Sequence, residues 1–182
     1  MRPIIIYLDT EYTAFKSNLN DIQLISIGLV DETGTKTFYA ELTEGYTQSD
    51  CCQYVIEEVL PLLDASELSV ELDYSAIYAR MTFEQIREHL STWFKQFDGP
   101  IALRSERPDF KLHFFNRIFN EHLWPENVLP GITHCIPMAS PMQLLIYDRR
   151  AEDIFDDQQF RRDHALDNAK VMRLTMIGME KT

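Results

Sequence analysis

Short apolar runs in the first quarter of the chain predict three neighbouring strands. Residues 4–8 are four aliphatic side chains and a tyrosine, a pattern typical of a strand that is buried on both faces. Two more strands are predicted over 22–30 and 36–42, because a turn with a glycine at residue 34 separates these runs. The short connections between the three strands favour an antiparallel meander.

Beyond residue 48 the apolar side chains recur mainly at helical spacing. This spacing predicts helices over 49–63, 82–97, 109–123, 142–147 and 165–179. Short apolar runs predict strands over 101–103 and 132–136, while the acidic stretch 149–163 is predicted to be a surface excursion. The whole pattern predicts a single α/β domain over residues 1–182, with a central mixed sheet of five strands and helices on both faces. The alternative is a sixth strand within 65–79, where the apolar residues show no clear periodicity.

Two carboxylates follow the first apolar run. Asp9 and Glu11 are two residues apart, so an extended chain directs both side chains to the same face. Two unpaired carboxylates in that position repel each other and lose hydration unless a cation lies between them. Oxygen ligands without a nearby His or Cys favour Mg²⁺ or Mn²⁺ over zinc. The pattern therefore predicts a divalent-metal site, and the alternative is a strand that ends at Leu8 with both acids in solvent.

Composition is that of an ordinary folded protein, with 45% hydrophobic and 25% charged residues in a chain of 182. The N-terminal apolar run is too short for a secretion signal or a membrane span, which predicts a soluble cytoplasmic protein with no membrane association. The three cysteines, Cys51, Cys52 and Cys135, show no C-x-x-C spacing. We expect them to be reduced thiols.

The net charge of −12 argues against a broad basic surface for nucleic acid. It still permits an enzyme that binds one end of a nucleic-acid strand through a metal and a local basic patch. Arginines that could form such a patch occur at 104 and 107, at 149–150 and at 161–162. Each of these groups, taken alone, is more typical of a solvated face.

Three short motifs resemble those of a nuclease superfamily. Asp9-Thr10-Glu11 matches its first motif, and Asp109, at the start of a predicted helix, matches its second. Residues 163–169 read D-H-A-L-D-N-A and are similar to its third motif. Together with the order of elements, these motifs resemble the DEDD superfamily of 3'-5' exonucleases, and within it the small bacterial exoribonuclease-like group of the DEDDh type. The resemblance runs over nearly the whole chain and implies a ribonuclease H-like fold.

The third motif departs from the family pattern H-x-A-L-x-D-A. Alignment on Ala165 and Leu166 puts Asp163 where the family has His and Asn168 where it has the last Asp. His164 and Asp167 have the expected chemistry, but each is displaced by one residue. One residue is about 100° of helical rotation, so Asp167 cannot point where Asn168 points without local rearrangement. Asp167, Asn168 and Asp163 therefore remain alternatives for the fourth ligand position.

The resemblance implies metal-dependent hydrolysis at the 3' end of single-stranded RNA or DNA. In that scheme two Mg²⁺ or Mn²⁺ ions are held by Asp9, Glu11, Asp109 and Asp167. His164 is the general base that deprotonates the attacking water, and Tyr12 or Phe15 stacks on the terminal base.

Two alternative functions are also considered. The first is a catalytically weakened relative that binds a nucleotide, a strand end or a protein partner without cutting. The second is a purely structural acidic domain. The resemblance also implies a homodimer.

Overall fold

A computed structural model of the chain describes residues 2–16, 18–69, 72–120, 123–136 and 140–180. Within these residues one sheet contains the strands β1 Ile4–Tyr12, β2 Leu24–Asp31, β3 Thr37–Leu42, β4 Ala76–Met81, β5 Ile101–Ser105 and β6 Val128–His134. The α-helices are α1 Phe83–Phe94, α2 Pro108–Phe119, α3 Pro141–Gln158 and α4 Ala165–Glu180. Single helical turns occur at Leu19–Asp21, Gln48–Asp50, Val55–Val59 and Leu60–Leu62.

The sheet is mixed, with the strand order β4-β3-β2-β1-β5-β6. β1, β2 and β3 form the predicted antiparallel meander, whereas β5 pairs with β1 in parallel and β6 pairs with β5 in parallel. The sheet has six strands rather than the predicted five, because β4 adds a parallel edge strand next to β3. Its side chains do alternate between exposed and buried. Two alanines and an arginine in six residues make that alternation weak in the sequence.

Helices cover both faces of β1, as its apolar run predicts. Ile6 and Leu8 belong to the large core that α1 and α2 complete on one face. Ile5 and Tyr7 point to the other face, where α4 contributes Met172 to a smaller core. Cys135 is buried in this second core, with its Sγ atom 3.7 Å from Met172 Sδ. None of the helices that the structure describes is long and apolar enough to cross a membrane.

The predicted helix over 49–63 is replaced by short irregular turns. A π-helical turn covers Val55–Val59, and a 3₁₀ turn follows at Leu60–Leu62. Pro61 explains the break, since proline has no N–H for a helical hydrogen bond and its ring clashes with the preceding turn. Val55 and Val59 still pack on Ile25, so the apolar spacing marks a buried face even though no regular helix forms.

The acidic stretch that is predicted as an excursion lies largely within α3. A capping box of Ser140 and Gln143 starts this helix, which then continues well past the predicted 142–147. Its side chains are mostly exposed, so the stretch does lie at the surface, as a helix.

The other predicted helices and strands are close to those observed. The predicted helix over 109–123 ends at Phe119, and residues 121–122 lie outside those described. The predicted helix over 165–179 corresponds to α4. The predicted strands over 101–103 and 132–136 correspond to β5 and β6.

Gly28 allows α4 to lie against the sheet beside Asp9. The two residues are paired across β1 and β2. A Cβ atom built on Gly28 would lie 2.2 Å from the backbone nitrogen of Leu166 and 2.4 Å from the carbonyl carbon of Ala165. Only glycine leaves room for so close an approach of backbone. The first turn of α4 is thereby placed over the end of β1, where the two motif carboxylates lie.

Candidate functional site

A cleft of about 440 Å³ opens at the C-terminal end of β1. It lies between this strand, the segment around residues 52–59, the start of α2 and the start of α4. Polar and charged residues that line it are Asp9, Thr10, Glu11, Glu106, Arg107, Lys111, Asp163 and Asn168. Its other walls include Tyr12, Ala14, Phe15, Cys52, Tyr54 and Val55. A neighbouring cavity of about 310 Å³ shares Asp9, Glu106, Asp163 and Asn168, and extends to Phe155 and Arg162.

Lys111 binds Asp9 directly. It stands in the first turn of α2, and its Nζ atom lies 2.8 Å from Asp9 Oδ1. The lysine is 5% exposed, and its ammonium group also lies 3.5 Å from the carbonyl oxygen of Thr10 and 5.5 Å from the centre of the Tyr12 ring. A buried ammonium is stable only where acceptors replace its water. Here all three acceptors come from the end of β1.

Asn168 reaches the same carboxylates from α4. Its Nδ2 atom donates to Asp9 Oδ2 at 2.9 Å and to Glu11 Oε1 at 3.1 Å. The structure thus places Asn168 at the position that the alignment of the third motif indicates. One Asp9 oxygen is held by an ammonium and the other by an amide.

Two carboxylates in the cleft have raised pKa values. Burial, with the nearby Asp9 charge as the next cause, raises the pKa of Glu11 from 4.5 to about 8. Desolvation by the cleft walls also raises the pKa of Glu106, although a 2.7 Å hydrogen bond from Tyr147 opposes this effect. At neutral pH the cleft is therefore less negative than its four acidic side chains suggest.

The Glu11 pKa predicts a loss of stability as the pH rises from 6.5 to 8. The folded protein keeps a proton on Glu11 that the unfolded chain, with an ordinary pKa of 4.5, has released, so higher pH favours unfolding. His164 works in the opposite direction: burial lowers its pKa from 6.5 to about 4, so its contribution to stability rises with pH and is nearly complete at pH 6.5. Urea denaturation in EDTA should show a loss on the order of 1 kcal/mol over this interval, and Glu11→Gln should abolish it. Equal pH dependence in the two proteins would contradict the raised pKa.

Asp163 lines the cleft and has an unusual backbone conformation. Its φ of 59° is left-handed, and its carboxylate accepts a 2.7 Å hydrogen bond from Tyr54. The alignment puts this residue where the family has its His. The structure therefore brings an acceptor, rather than an imidazole, to that side of the cleft.

His164 and Asp167 lie outside this cleft, in a buried polar cluster. The centre of the His164 ring lies 4.4 Å from that of Tyr39, with the two planes tilted by 30°, and Arg161 Nη2 lies 3.0 Å from the His164 Nε2 atom. Asp167 accepts from Arg161 Nε at 2.8 Å. Because one residue rotates a helical side chain by about 100°, Asn168 and Asp167 cannot both face β1. The structure thus places His164 and Asp167 away from the cleft, and their roles as base and ligand stay predictions.

Asp109 is exposed on α2 and is not among the residues that line the cleft. The helix begins at Pro108, so Asp109 and Lys111 project about 200° apart. Since Lys111 faces Asp9, Asp109 faces away. The motifs do not point to Glu106 or Lys111, and the signal that could have found Lys111 is the helix start that Pro108 fixes.

The two candidate stacking residues lie at the cleft in different settings. Tyr12 is 8% exposed and stacks between Phe110 and Phe114, so its ring belongs largely to the core. Phe15 is 64% exposed, and the Arg107 guanidinium lies 5.2 Å from its ring centre. Of the two, Phe15 is the exposed ring.

The donor set of the cleft does not fit a pair of divalent ions. Such ions need carboxylates free to bridge and flank them. Here both Asp9 oxygens are already occupied, one by Lys111 and one by Asn168. In the part of the chain that the structure describes, no group of three or more His, Cys, Asp or Glu side chains is placed to hold a metal ion.

Comparison with known proteins finds similarity in structure alone. No protein-family model and no curated protein matches the sequence. A solved structure of Pop2p from S. pombe, in a form with Mg²⁺ and Mn²⁺ bound, is similar with a TM-score of 0.56 and 14% identity, over 97% of this chain and 82% of that chain. A chain in the structure of the yeast NOT1 MIF4G domain co-crystallized with CAF1 is similar with a TM-score of 0.54 and 10% identity, over 97% of this chain and 79% of that one. These similarities confirm the predicted α/β, ribonuclease H-like fold.

Proposed function

We propose that this chain binds a nucleotide, or the 3' end of a single strand, in the cleft at the end of β1 and does not cut it. The observation that carries the proposal is the Lys111 ammonium bound 2.8 Å from Asp9 Oδ1. In the family that the motifs resemble, this aspartate has the role of a metal ligand. The fold and the first motif support binding at this position, and the occupied Asp9 oxygens count against a bound metal.

Phe15 and Arg107 give the cleft a surface suited to a base and a phosphate. Phe15 exposes a ring at the cleft, and stacking on an aromatic side chain accepts any base. Arg107, beside that ring, carries a charge that a phosphate can approach.

Glu11 gives the cleft an acceptor for a sugar hydroxyl. Its carboxyl group lines the cleft, and carboxyl oxygens accept hydrogen bonds from hydroxyl groups. The acidic lining and the net charge of −12 oppose a long polyanion. The ligand that fits these charges best is a single terminal nucleotide.

Metal-dependent 3'-5' exonuclease activity is the second candidate. One observation favours it: four carboxylates, those of Asp9, Glu11, Glu106 and Asp163, line the same cleft. This function requires Lys111 to leave Asp9.

An oligonucleotide with a 5' label tests both candidates. We expect fluorescence anisotropy to show binding in EDTA to a free 3' hydroxyl and weaker binding to a 3'-phosphate end. Gel analysis after incubation with Mg²⁺ or Mn²⁺ should show intact strands. A ladder of shortened products from the free end alone would establish the exonuclease, and the absence of both binding and shortened products would contradict both candidates.

Phe15→Ala should weaken binding about tenfold, since stacking on one base is worth 1–3 kcal/mol. Leu145→Ala is the matched control, because Leu145 is equally exposed and apolar but lies on α3, outside the residues that line the cleft. Equal loss in the two variants would place the ligand elsewhere. The homodimer that the resemblance implies remains a separate expectation.

A further inference from the structure

We infer that Lys111 is the resident cation of the cleft, and that it replaces the divalent metal on which this arrangement of carboxylates would otherwise depend. Ligand binding in the cleft is then independent of divalent metal. The statement about the ligand rests on the proposed function, while the statement about the cation does not.

The contacts of Lys111 show that its charge is built into the site. The side chain is buried, and its ammonium has a carboxylate, a carbonyl oxygen and an aromatic ring around it, from Asp9, Thr10 and Tyr12. The ammonium group of a lysine exposed at the edge of the cleft would instead stay hydrated. Burial of an ammonium is costly unless partners are fixed in place, and these partners belong to one central strand.

Asn168 changes the charge of the cleft in the same direction as Lys111. An aspartate at 168 would add a third carboxylate beside Asp9 and Glu11, and the amide removes that charge and supplies a donor to both. Compared with an aspartate at 168, the asparagine removes one negative charge, and Lys111 adds one positive charge. Both side chains satisfy the acceptors that a metal would otherwise bind, and each does so from a different helix.

Introducing two carboxylates, at 111 and 168, tests this inference without any nucleic acid. We expect the Lys111→Asp/Asn168→Asp double variant to bind Mn²⁺ at least about tenfold more tightly than the wild-type chain in calorimetry, because it presents a four-carboxylate set of hard oxygen donors. Its melting temperature should rise by about 5 °C or more in excess Mn²⁺, and that of the wild type should not change. Lys95→Asp, on the surface at the end of α1, is the control for altered net charge and should behave like the wild type.

Lys111→Met keeps the inference testable if the double variant does not fold. Methionine preserves most of the side-chain volume and removes the charge, which leaves Asp9 and Glu11 without a cation. This variant should melt below the wild type in EDTA and recover part of the loss when Mn²⁺ is added. Equal Mn²⁺ affinity in the wild type and the variants, or equal melting of Lys111→Met and the wild type in EDTA, would overturn the inference.

Binding of the labelled oligonucleotide separates this inference from the proposed function. If the metal measurements behave as expected and no oligonucleotide binds, the proposed function fails and the resident cation stands. If the wild type binds the oligonucleotide only when Mn²⁺ is present, the inference fails and binding at the strand end stands.

Discussion

Replacing Gly28 with alanine is expected to destabilise the folded chain by about 3 kcal/mol or more, at the upper end of what overpacking costs. The new methyl group would meet backbone atoms of Leu166 and Ala165 at 2.2 and 2.4 Å, and backbone cannot move aside as a flexible side chain can. The start of α4 must then lift from the sheet and carry Asn168 away from Asp9. Urea denaturation measures the loss of stability, and the oligonucleotide assay should show weaker binding even where the variant is folded.

Gly178→Ala is the matched control for this substitution. Gly178 lies in α4, and the atoms nearest to an added methyl group, at 2.9 Å, belong to the flexible side chain of Arg150. Alanine also has the higher helix propensity, so we expect a change within about 1 kcal/mol. If Gly28→Ala and Gly178→Ala unfold at the same urea concentration, the close approach of α4 to β2 is not a constraint on this fold.

Replacing Asp9 with alanine is expected to cost about 3–5 kcal/mol, the usual effect of removing one partner of a buried ion pair. Lys111 would keep its charge in a buried site after losing its counter-charge. The sign of this effect distinguishes two arrangements. In a metal site that is empty in EDTA, the carboxylates repel one another, so removal of one carboxylate stabilises the protein. Here we expect the opposite.

Two further variants control the Asp9 measurement. Asp109→Ala changes an exposed carboxylate on α2 and should alter the free energy of unfolding by no more than about 0.5 kcal/mol. In the double variant Asp9→Ala/Lys111→Met the unpaired charge is gone, so part of the stability should return. An Asp9→Ala protein that is as stable in EDTA as the wild type, or more stable, would show that the ion pair with Lys111 is not a stabilising contact.

The local pattern of apolar residues predicts the central part of the fold, because each buried strand is marked by its own apolar run. The apolar runs of β1, β2 and β3 identify the meander, and the period of two places Asp9 and Glu11 on one face. The pattern does not reveal β4, whose alternation is diluted by Ala76, Ala79 and Arg80. Its place in the sheet depends on pairing with β3, which is a property of the assembled sheet.

The cleft is less predictable because it is assembled from separate helices. Asn168 can be located by aligning the third motif, since Ala165 and Leu166 fix the register of α4. Lys111 cannot be found in this way, because its direction depends on where α2 begins. His164 has the right chemistry for a base, but burial against Tyr39 removes it from the cleft. Residue types alone therefore place the two strand carboxylates at the end of β1, whereas the direction of side chains on α2 and α4 depends on where each helix begins.

The three thiols are chemically unequal, and this offers a direct way to watch the cleft in solution. Burial raises the pKa of Cys135 to about 12, so little thiolate forms there and reagents cannot reach it. Burial also raises the pKa of Cys51, whereas Cys52 is exposed and lines the cleft. A maleimide dye should therefore attach first at Cys52. Its emission would then report occupancy of the cleft in the natural sequence, without an engineered cysteine.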